Sequence, residues 1–251
     1  IKTEDVEIVM EAIKNEQKYI TLSSGELVKI ANKSIEELVG ITDSISNLKV
    51  GENKISKIKA LQLAQISKNI QEELVKMEEF KDLFHKIKNR EEIEPNNISV
   101  NLFPYQKLGF NWLKNMYDIG FGGILADDMG LGKTLQTISL LNEIYQENRN
   151  FSALIIVPSS LLYNWKEEII KFTGISATLI EGTAAQRKEI ISRKSKGFMI
   201  TTYQALRNDI EEYKNREFDV VVLDEAQNIK TTTSQIKKAV MKINSKVNFA
   251  L

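Results

Sequence analysis

The sequence contains no cysteine and a single histidine, His85, among its 251 residues. Disulfide bridges and thiolate metal sites are therefore excluded, and one histidine cannot build a zinc site alone. The absence of cysteine is typical of a reducing compartment, so we expect a cytoplasmic protein.

Long apolar runs are also lacking. The longest candidate, Ala153–Pro158, has the length of a buried strand and is far too short to cross a bilayer. The chain opens on the polar and acidic residues 1–5 and lacks an initiator methionine. We therefore expect no secretory signal, and we expect the sequence to be a piece of a longer polypeptide.

The chain lacks a net charge, because 34 basic residues balance 34 acidic ones. A dedicated nucleic-acid-binding protein is usually basic overall, so this balance counts against that class. It does not exclude contact with a phosphate backbone, which needs only a local track of basic side chains or amides.

Proline is scarce, and one of the three prolines lies in the polar, acidic segment 91–97, where we place a domain boundary. Residues 1–97 predict a smaller, mostly helical α+β accessory region, with a strand–turn–strand at 19–30 and helices around 57–66 and 70–87. This order of helices and a hairpin is typical of a winged-helix DNA reader and also of an ordinary small core.

Residues 98–251 alternate apolar runs with helical patterns. Strands are predicted at 122–126, 153–157, 177–180, 198–201 and 220–223, with a last run from Val247, and helices at 134–146, 161–172, 185–193 and 235–243. Nearly continuous apolar strands between helices indicate an α/β fold, in which helices cover both faces of a parallel sheet.

The strongest motif lies between the first predicted strand and helix of this region, and it reads Asp127-Asp128-Met129-Gly130-Leu131-Gly132-Lys133-Thr134. The two glycines allow backbone amides to curl around phosphate oxygens. Lys133 places a positive charge against the β- and γ-phosphates, Thr134 can hold Mg²⁺, and the next helix presents its N-terminus to the anion. The motif predicts a P-loop for ATP and Mg²⁺; the alternative is a strand-to-helix turn whose glycines serve packing.

A second motif, Asp224-Glu225-Ala226-Gln227, follows the apolar strand at 220–223. Ligands of parallel sheets bind at the carboxyl ends of strands. Asp224 is predicted to hold Mg²⁺, and Glu225 is predicted to orient and deprotonate the attacking water. The alternative is a solvated turn.

With both motifs placed, the chain resembles the Swi/Snf-type ATPases, a branch of the superfamily-two helicases. The family's form of the P-loop carries an acidic residue where the general pattern has glycine, and Asp127 stands at that position. The segment Leu102–Gln106 resembles the family's adenine-recognition motif, which implies that Gln106 reads the adenine edge. From the residues alone, Gln106 is equally well a glutamine on a helix surface.

Two more segments resemble motifs that contact the phosphates of the tracked DNA strand in that family. Pro158, Ser159 and Ser160 form one, and Thr201 and Thr202 lie in the other. Small hydroxyls and free amides suit a grip on the backbone, although Ser159 and Thr202 are also suited to cap the helices that follow.

Gln227 stands where many relatives have histidine, at a position that usually couples the nucleotide to a second lobe. Two basic groups, Arg187-Lys188 and Arg193-Lys194 with Lys196, could line a DNA track or form solvated helix surface.

The resemblance covers roughly residues 101–251, with a weaker similarity of 1–97 to the accessory segment of bacterial members. It implies the first RecA-like lobe of a bacterial translocase that acts on duplex DNA at the nucleoid, with the second lobe and its arginine fingers outside this chain. The chain alone is then expected to be inactive. Two alternatives remain: a lobe of a strand-separating or RNA-directed helicase, and a nucleotide-binding regulatory module without turnover.

Overall fold

A computed structural model gives the fold. It describes residues 92–128, 130–193, 196–229 and 235–251 and, before these, only 19–21, 24–29, 60, 77, 80, 81, 83, 85 and 86. The chain divides into two compact units, Ile1–Lys88 and Asn89–Leu251. Among the described residues, no helix combines the length and the apolar character that a membrane crossing requires.

In the first unit, two short antiparallel strands are described, β1 (Tyr19–Thr21) and β2 (Leu27–Lys29). They confirm the predicted strand–turn–strand. Ala60, Phe80 and Leu83 are helical, as predicted, and they are buried. Met77 lies in a bend, which departs from the helix predicted at 70–87. The remaining predictions for this region lie outside the described residues, and the winged-helix alternative stays open.

In the second unit, six parallel strands form one sheet in the order β3-β8-β7-β4-β6-β5. The strands are β3 (Gly123–Ile124), β4 (Ser152–Val157), β5 (Thr178–Leu179), β6 (Gly197–Thr202), β7 (Glu217–Leu223) and β8 (Asn244–Ala250). The described α-helices are α1 (Pro104–Asp118), α2 (Lys133–Glu147), α3 (Leu162–Thr173), α4 (Ala184–Ser192), α5 (Tyr203–Asp209) and α6 (Gln235–Val240). Every strand and helix predicted with bounds in this region is confirmed, and the structure adds the bounds of α1 and α5, which the interpretations of Gln106 and Thr202 had assumed.

Successive side chains of β4 point into two different buried clusters. Ala153 and Ile155 pack in a cluster with residues of α1, α2 and α3, and Leu154 and Ile156 pack with residues of α4, α5 and α6. A strand that is buried on both faces has apolar residues at successive positions and does not alternate between apolar and polar ones. The predicted α/β fold, with helices on both faces of the sheet, is confirmed.

The described part of the predicted boundary segment, residues 92–97, is hydrogen-bonded to the second unit. Glu143 accepts the Asn96 amide at 2.8 Å, and Asn142 donates to the Asn96 carbonyl at 2.8 Å. The Asn111 side chain pairs with the Ile93 backbone, accepting its N–H at 2.8 Å and donating to its carbonyl at 3.0 Å. The second compact unit accordingly begins at Asn89, ahead of the predicted boundary at 97.

One row of paired residues crosses five strands of the sheet: Ile124, Ala250, Leu223, Ile156 and Thr201. Because the strands are parallel, the segments that follow this row leave the sheet at one edge. The P-loop segment 127–134, Asp224, Pro158 and Thr202 all follow within a few residues. The register therefore gathers the motifs at the carboxyl edge of the sheet.

At the opposite edge, Asp219 of β7 joins three strands. Its carboxylate accepts the Ser152 amide of β4 at 2.8 Å and the Lys246 ammonium of β8 at 2.7 Å. Partial burial favours the neutral acid, but these donors outweigh burial and lower the pKa of Asp219. The stabilisation is therefore complete above the ordinary aspartate pKa and is lost as the pH falls through the lowered value.

We expect Asp219→Asn to lower the free energy of unfolding by about 1–2 kcal/mol at pH 7, because the amide keeps one acceptor oxygen for two donors and loses the charge that pairs with Lys246. Urea denaturation of both proteins from pH 7 down to about 2.5 checks this, with Glu167→Gln at an exposed position of α3 as the surface control. The difference should shrink toward the acid end. A difference that is constant over this range contradicts the assignment.

Candidate nucleotide-binding site

Two glycines with positive φ bend the loop that joins β3 to α2. Gly130 has φ 84° and Gly132 has φ 79°, in the left-handed region where other residues are strained. Gly132 directly precedes α2, so the first amides of that helix lie at the end of the loop. The backbone bend predicted at both glycines is confirmed. Met129 of the same motif lies outside the described residues.

Lys133 is the first residue of α2, and its ammonium lies over the loop. Nζ donates to the Asp127 carbonyl at 2.7 Å and to the Asp128 carbonyl at 3.2 Å. These bonds use two of the three N–H donors of a lysine ammonium. The charge is thus held at the mouth of the loop, where a phosphate would be bound.

The acidic residue at the first P-loop position has a partner in the structure. The Asp127 carboxylate accepts a hydrogen bond from Gln136 Nε2 at 3.3 Å, and Gln136 is fully buried. Gln136 packs against Gly109, where an added Cβ would lie 1.8 Å from the glutamine Oε1. The Asp127 side chain is therefore linked through Gln136 to both α1 and α2.

Gln106 lies in the first turn of α1 and is 6% exposed, so its interpretation as a glutamine on a helix surface is wrong. Its Oε1 accepts the Phe103 amide at 3.0 Å, and its Nε2 donates to the Leu131 carbonyl at 3.2 Å. An added Cβ at Gly132 would lie 2.5 Å from that nitrogen. Gln106 thus caps α1 and packs against the P-loop, and its contact with adenine stays a prediction.

Asp224 follows β7 directly and is held from two sides. Its Oδ2 accepts the indole N–H of Trp165 at 2.7 Å, and its Oδ1 accepts the Glu225 amide at 3.0 Å. Burial raises the pKa of Asp224, although the two hydrogen bonds and the charge of Lys133 oppose that rise.

The oxygen atoms at this edge fit Mg²⁺. Each Asp224 oxygen accepts one hydrogen bond and keeps a lone pair for a cation. Thr134, half-buried in the first turn of α2, is the second predicted ligand. Within the described ranges, no group of three or more acidic, histidine or cysteine side chains could hold a metal. Sites completed by phosphate and water suit Mg²⁺, which usually takes only one or two protein carboxylates.

Glu225 adopts φ 51°, which is uncommon for a residue with a side chain. The hydrogen bond from its amide to Asp224 Oδ1 helps to hold this turn. Gln227 is exposed, and its side-chain amide donates to the Glu225 carboxylate. In this structure Gln227 therefore contacts the predicted base, and its coupling to a second lobe stays a prediction.

The segment after β4 begins a 3₁₀ turn, Ser159–Leu161, ahead of α3. Neither that turn nor α3 has a side-chain cap, so the capping role considered for Ser159 is wrong. Ser159 and Ser160 are exposed and Pro158 is half-buried, which leaves this segment accessible at the carboxyl edge.

Thr201 and Thr202, at the end of β6, differ in burial and in function. Thr202 Oγ1 accepts the Ala205 amide at 3.1 Å, which confirms that Thr202 caps α5. Its own hydroxyl proton is still a donor. Thr201 is fully buried, so its side chain cannot reach a phosphate from this position, and we leave it out of the contact surface.

Three of the five predicted basic residues pair with carboxylates, whereas Lys196 donates to the Asn150 side chain and Lys194 lies outside the described residues. Arg187 makes a two-pronged ion pair with Asp209, at 2.5 and 2.8 Å, and is 16% exposed. Lys188 pairs with Glu212, and Arg193 pairs with Glu189. Lys188 and Arg193 are solvated helix surface, as one alternative predicted, whereas Arg187 is half-buried and links α4 to α5.

Two aromatic residues at this edge were assigned no role from the sequence. Trp165 contacts the Asp224 side chain, and the Tyr203 hydroxyl donates to the Asp224 carbonyl at 2.7 Å. Both belong to the longer segments, 154–165 and 199–203, that resemble DNA-contacting motifs. The resemblance thus reached both residues, but their contacts with Asp224 were not predicted.

Known proteins resemble both parts of the chain. A family model described as SNF2-related domain matches residues 105–251, and one described as bacterial SNF2 helicase associated matches residues 1–96. An uncharacterized ATP-dependent helicase of Mycoplasma genitalium is 41% identical over 158 residues, which are 62% of this chain and 15% of that protein. The helicase SWR1 of Saccharomyces cerevisiae is 40% identical over 161 residues, 60% of this chain and 10% of that protein.

Among solved structures, the Sulfolobus solfataricus SWI2/SNF2 ATPase core in complex with dsDNA is 42% identical, with a TM-score of 0.59. The match covers 64% of this chain and 34% of that one. This likeness confirms that the second unit has the predicted RecA-like fold. Since the SNF2-related model also covers more than half of the sequence, this chain belongs to the SNF2 family.

Proposed function

We propose that this chain is the first motor lobe of an ATP-dependent translocase on double-stranded DNA, which binds ATP and Mg²⁺ and contributes contacts to the phosphate backbone. The observation that carries the proposal is the row from Ile124 to Thr201. It brings the P-loop, the Asp224-Glu225 pair and the two segments that resemble DNA-contacting motifs to one edge of the sheet.

The nucleotide chemistry follows from the groups at this edge. Loop amides and Lys133 bind the phosphates, while Thr134 and Asp224 hold Mg²⁺. Bound Mg²⁺ would withdraw charge from the phosphate oxygens. Glu225 orients a water and accepts its proton. Residues Asp128 to Thr134 form the nucleotide-binding set, and Gln106 and Gln227 support it from α1 and from the turn after Glu225.

The DNA contacts are proposed for Pro158, Ser159, Ser160 and Thr202. Serine hydroxyls and amides bind phosphate oxygens without reading base sequence, as a translocase requires. The Thr202 hydroxyl can donate to a phosphate while it caps α5. The solved Sulfolobus relative holds duplex DNA, which supports a duplex as the partner.

We further propose that the accessory region predicted at 1–97 corresponds to the first compact unit, Ile1–Lys88, and that the second RecA-like lobe lies elsewhere in the same polypeptide. The match of residues 1–96 to the bacterial SNF2-associated model supports the first part. The second part is supported by the coverage, since this chain spans about a third of the solved ATPase core.

The 251-residue chain by itself is expected to bind ATP weakly and to release phosphate at a negligible rate, with or without duplex DNA. Closure of a second lobe excludes water and supplies arginines, which are worth about 10³–10⁵ in rate in other phosphoryl-transfer enzymes. Steady-state phosphate release by the purified chain, beside the full-length polypeptide, is the measurement. DNA-stimulated turnover by the chain alone would show that one lobe suffices.

The full-length polypeptide tests the function itself. ATPase rates with duplex DNA, single-stranded DNA and RNA should show stimulation by the duplex above the other two. Triplex displacement should be positive and strand unwinding negative. Preferential stimulation by RNA, or efficient strand separation, would instead identify a helicase lobe.

A further inference from the structure

Asp224, the proposed Mg²⁺ ligand, is hydrogen-bonded to two buried aromatic residues. The Trp165 indole N–H donates to Oδ2 at 2.7 Å, and the Tyr203 hydroxyl donates to the backbone carbonyl at 2.7 Å. Trp165 is 2% exposed and Tyr203 is 4% exposed. One residue therefore orients the carboxylate, and the other fixes the backbone that carries it.

These bonds restrict Asp224 strongly. The indole N–H can only donate a hydrogen bond, and a buried donor without an acceptor would destabilise the fold. A donor to an ionised carboxylate makes a stronger hydrogen bond than a neutral pair. Trp165 on Oδ2 and the Glu225 amide on Oδ1 therefore determine which lone pair of each carboxylate oxygen remains available to a cation.

The two aromatic residues belong to the two proposed DNA-contacting segments. Trp165 lies in the first turn of α3, which begins directly after the 3₁₀ turn Ser159–Leu161. Tyr203 is the first residue of α5 and directly follows Thr202. A groove of about 150 Å³ joins the segments and is lined by Pro158, Ser159, Tyr203, Gln204 and Ile236. Tyr203 thus contacts Asp224 and also lines the groove between the two segments.

We propose that Trp165 and Tyr203 are positioning residues that couple contact with DNA phosphates to the orientation of the Asp224 carboxylate. A phosphate bound at Ser159, Ser160 or Thr202 shifts the start of α3 or α5 by a small amount. Because each helix start is hydrogen-bonded to Asp224, the shift re-aims the Mg²⁺ ligand. The inference rests on the proposed function and adds the route by which DNA stimulates hydrolysis.

The experiment uses the full-length polypeptide with Trp165→Phe, Tyr203→Phe and, as the matched control, Tyr213→Phe, which alters another buried tyrosine. The readouts are the ratio of DNA-stimulated to basal ATPase rate, the Mg²⁺ concentration that gives half of the maximal rate and, without turnover, the Mg²⁺ dependence of binding of a fluorescent ATP analogue. A merely structural role lowers both rates together and leaves their ratio unchanged.

We expect Trp165→Phe to raise the half-maximal Mg²⁺ concentration roughly tenfold or more, because second-shell donors contribute on that scale to metal affinity. Tyr203→Phe should reduce the stimulation ratio by roughly threefold to tenfold, the range for one neutral hydrogen bond. Tyr213→Phe should keep the wild-type ratio.

The outcomes separate two failures. A wild-type protein without DNA stimulation overturns the proposed function. Normal stimulation in the wild-type protein, with unchanged ratios and Mg²⁺ dependence in both variants, overturns the coupling alone. If Trp165→Phe does not fold, Tyr203→Phe decides, because it removes a single oxygen atom, and an unchanged ratio in that variant overturns the coupling.

Discussion

Glu225→Gln in the full-length polypeptide is expected to bind ATP like the wild-type protein and to hydrolyse it at least about 100-fold more slowly, the scale of a lost general base. Glutamine keeps the shape of the side chain and can still accept the hydrogen bond that Gln227 donates. It cannot take a proton from the attacking water. Binding and chemistry should therefore separate in this variant.

Two measurements test that separation: titration with a fluorescent ATP analogue and phosphate release under saturating duplex DNA. The control is Glu217→Gln, since Glu217 is exposed at the other end of the same strand, β7. It should change neither quantity by more than about twofold, as expected of a surface substitution. Turnover of Glu225→Gln within a few-fold of wild type would show that Glu225 is not the base.

Lys133→Ala is expected to weaken ATP binding by about 10- to 100-fold, because the triphosphate loses a charge-assisted hydrogen bond in a partly buried site. The substitution also removes the bonds from Nζ to the carbonyls of Asp127 and Asp128. Part of the loss would then come from a less ordered loop. Lys133→Arg separates the contributions, since it keeps the charge but presents a wider, planar group.

Titration with the same fluorescent analogue in the presence of Mg²⁺ gives the affinities. Lys171→Ala is the control, because Lys171 is exposed in the last turn of α3. Thermal unfolding without nucleotide shows how far the loop bonds stabilise the fold. Equal affinity of the wild-type protein and Lys133→Ala for the analogue would mean that this loop is not the phosphate site.

The sheet was predictable because its strands are buried on both faces and read as nearly continuous apolar runs, as in β4 and β7. The bounds of helix α1 were not predicted because its buried face includes the polar residues Gln106 and Asn111, which interrupt the apolar period. Helix α5 has seven residues, too few for a period to be recognised.

The sequence was sufficient to place the P-loop and Asp224 at the carboxyl ends of strands, because each directly follows an apolar run. The contacts that hold them could not be predicted. Trp165 and Asp224 are 59 residues apart, and their hydrogen bond depends on β4 lying beside β7 in the sheet. Strand order is a property of the whole fold, so no local pattern around Trp165 indicated its partner.

The row of paired residues has a consequence for where the chain tolerates a change in length. An extra residue early in β7 would turn the Val221 and Leu223 side chains to the other face of the sheet, because side chains alternate between the two faces along a strand. It would also displace Asp224 from its present register with the neighbouring strands. The connections at the amino edge, such as the exposed stretch 148–150 before β4, carry no motif. Affinity tags, fluorescent domains or cross-linking cysteines inserted there should leave the nucleotide edge in register.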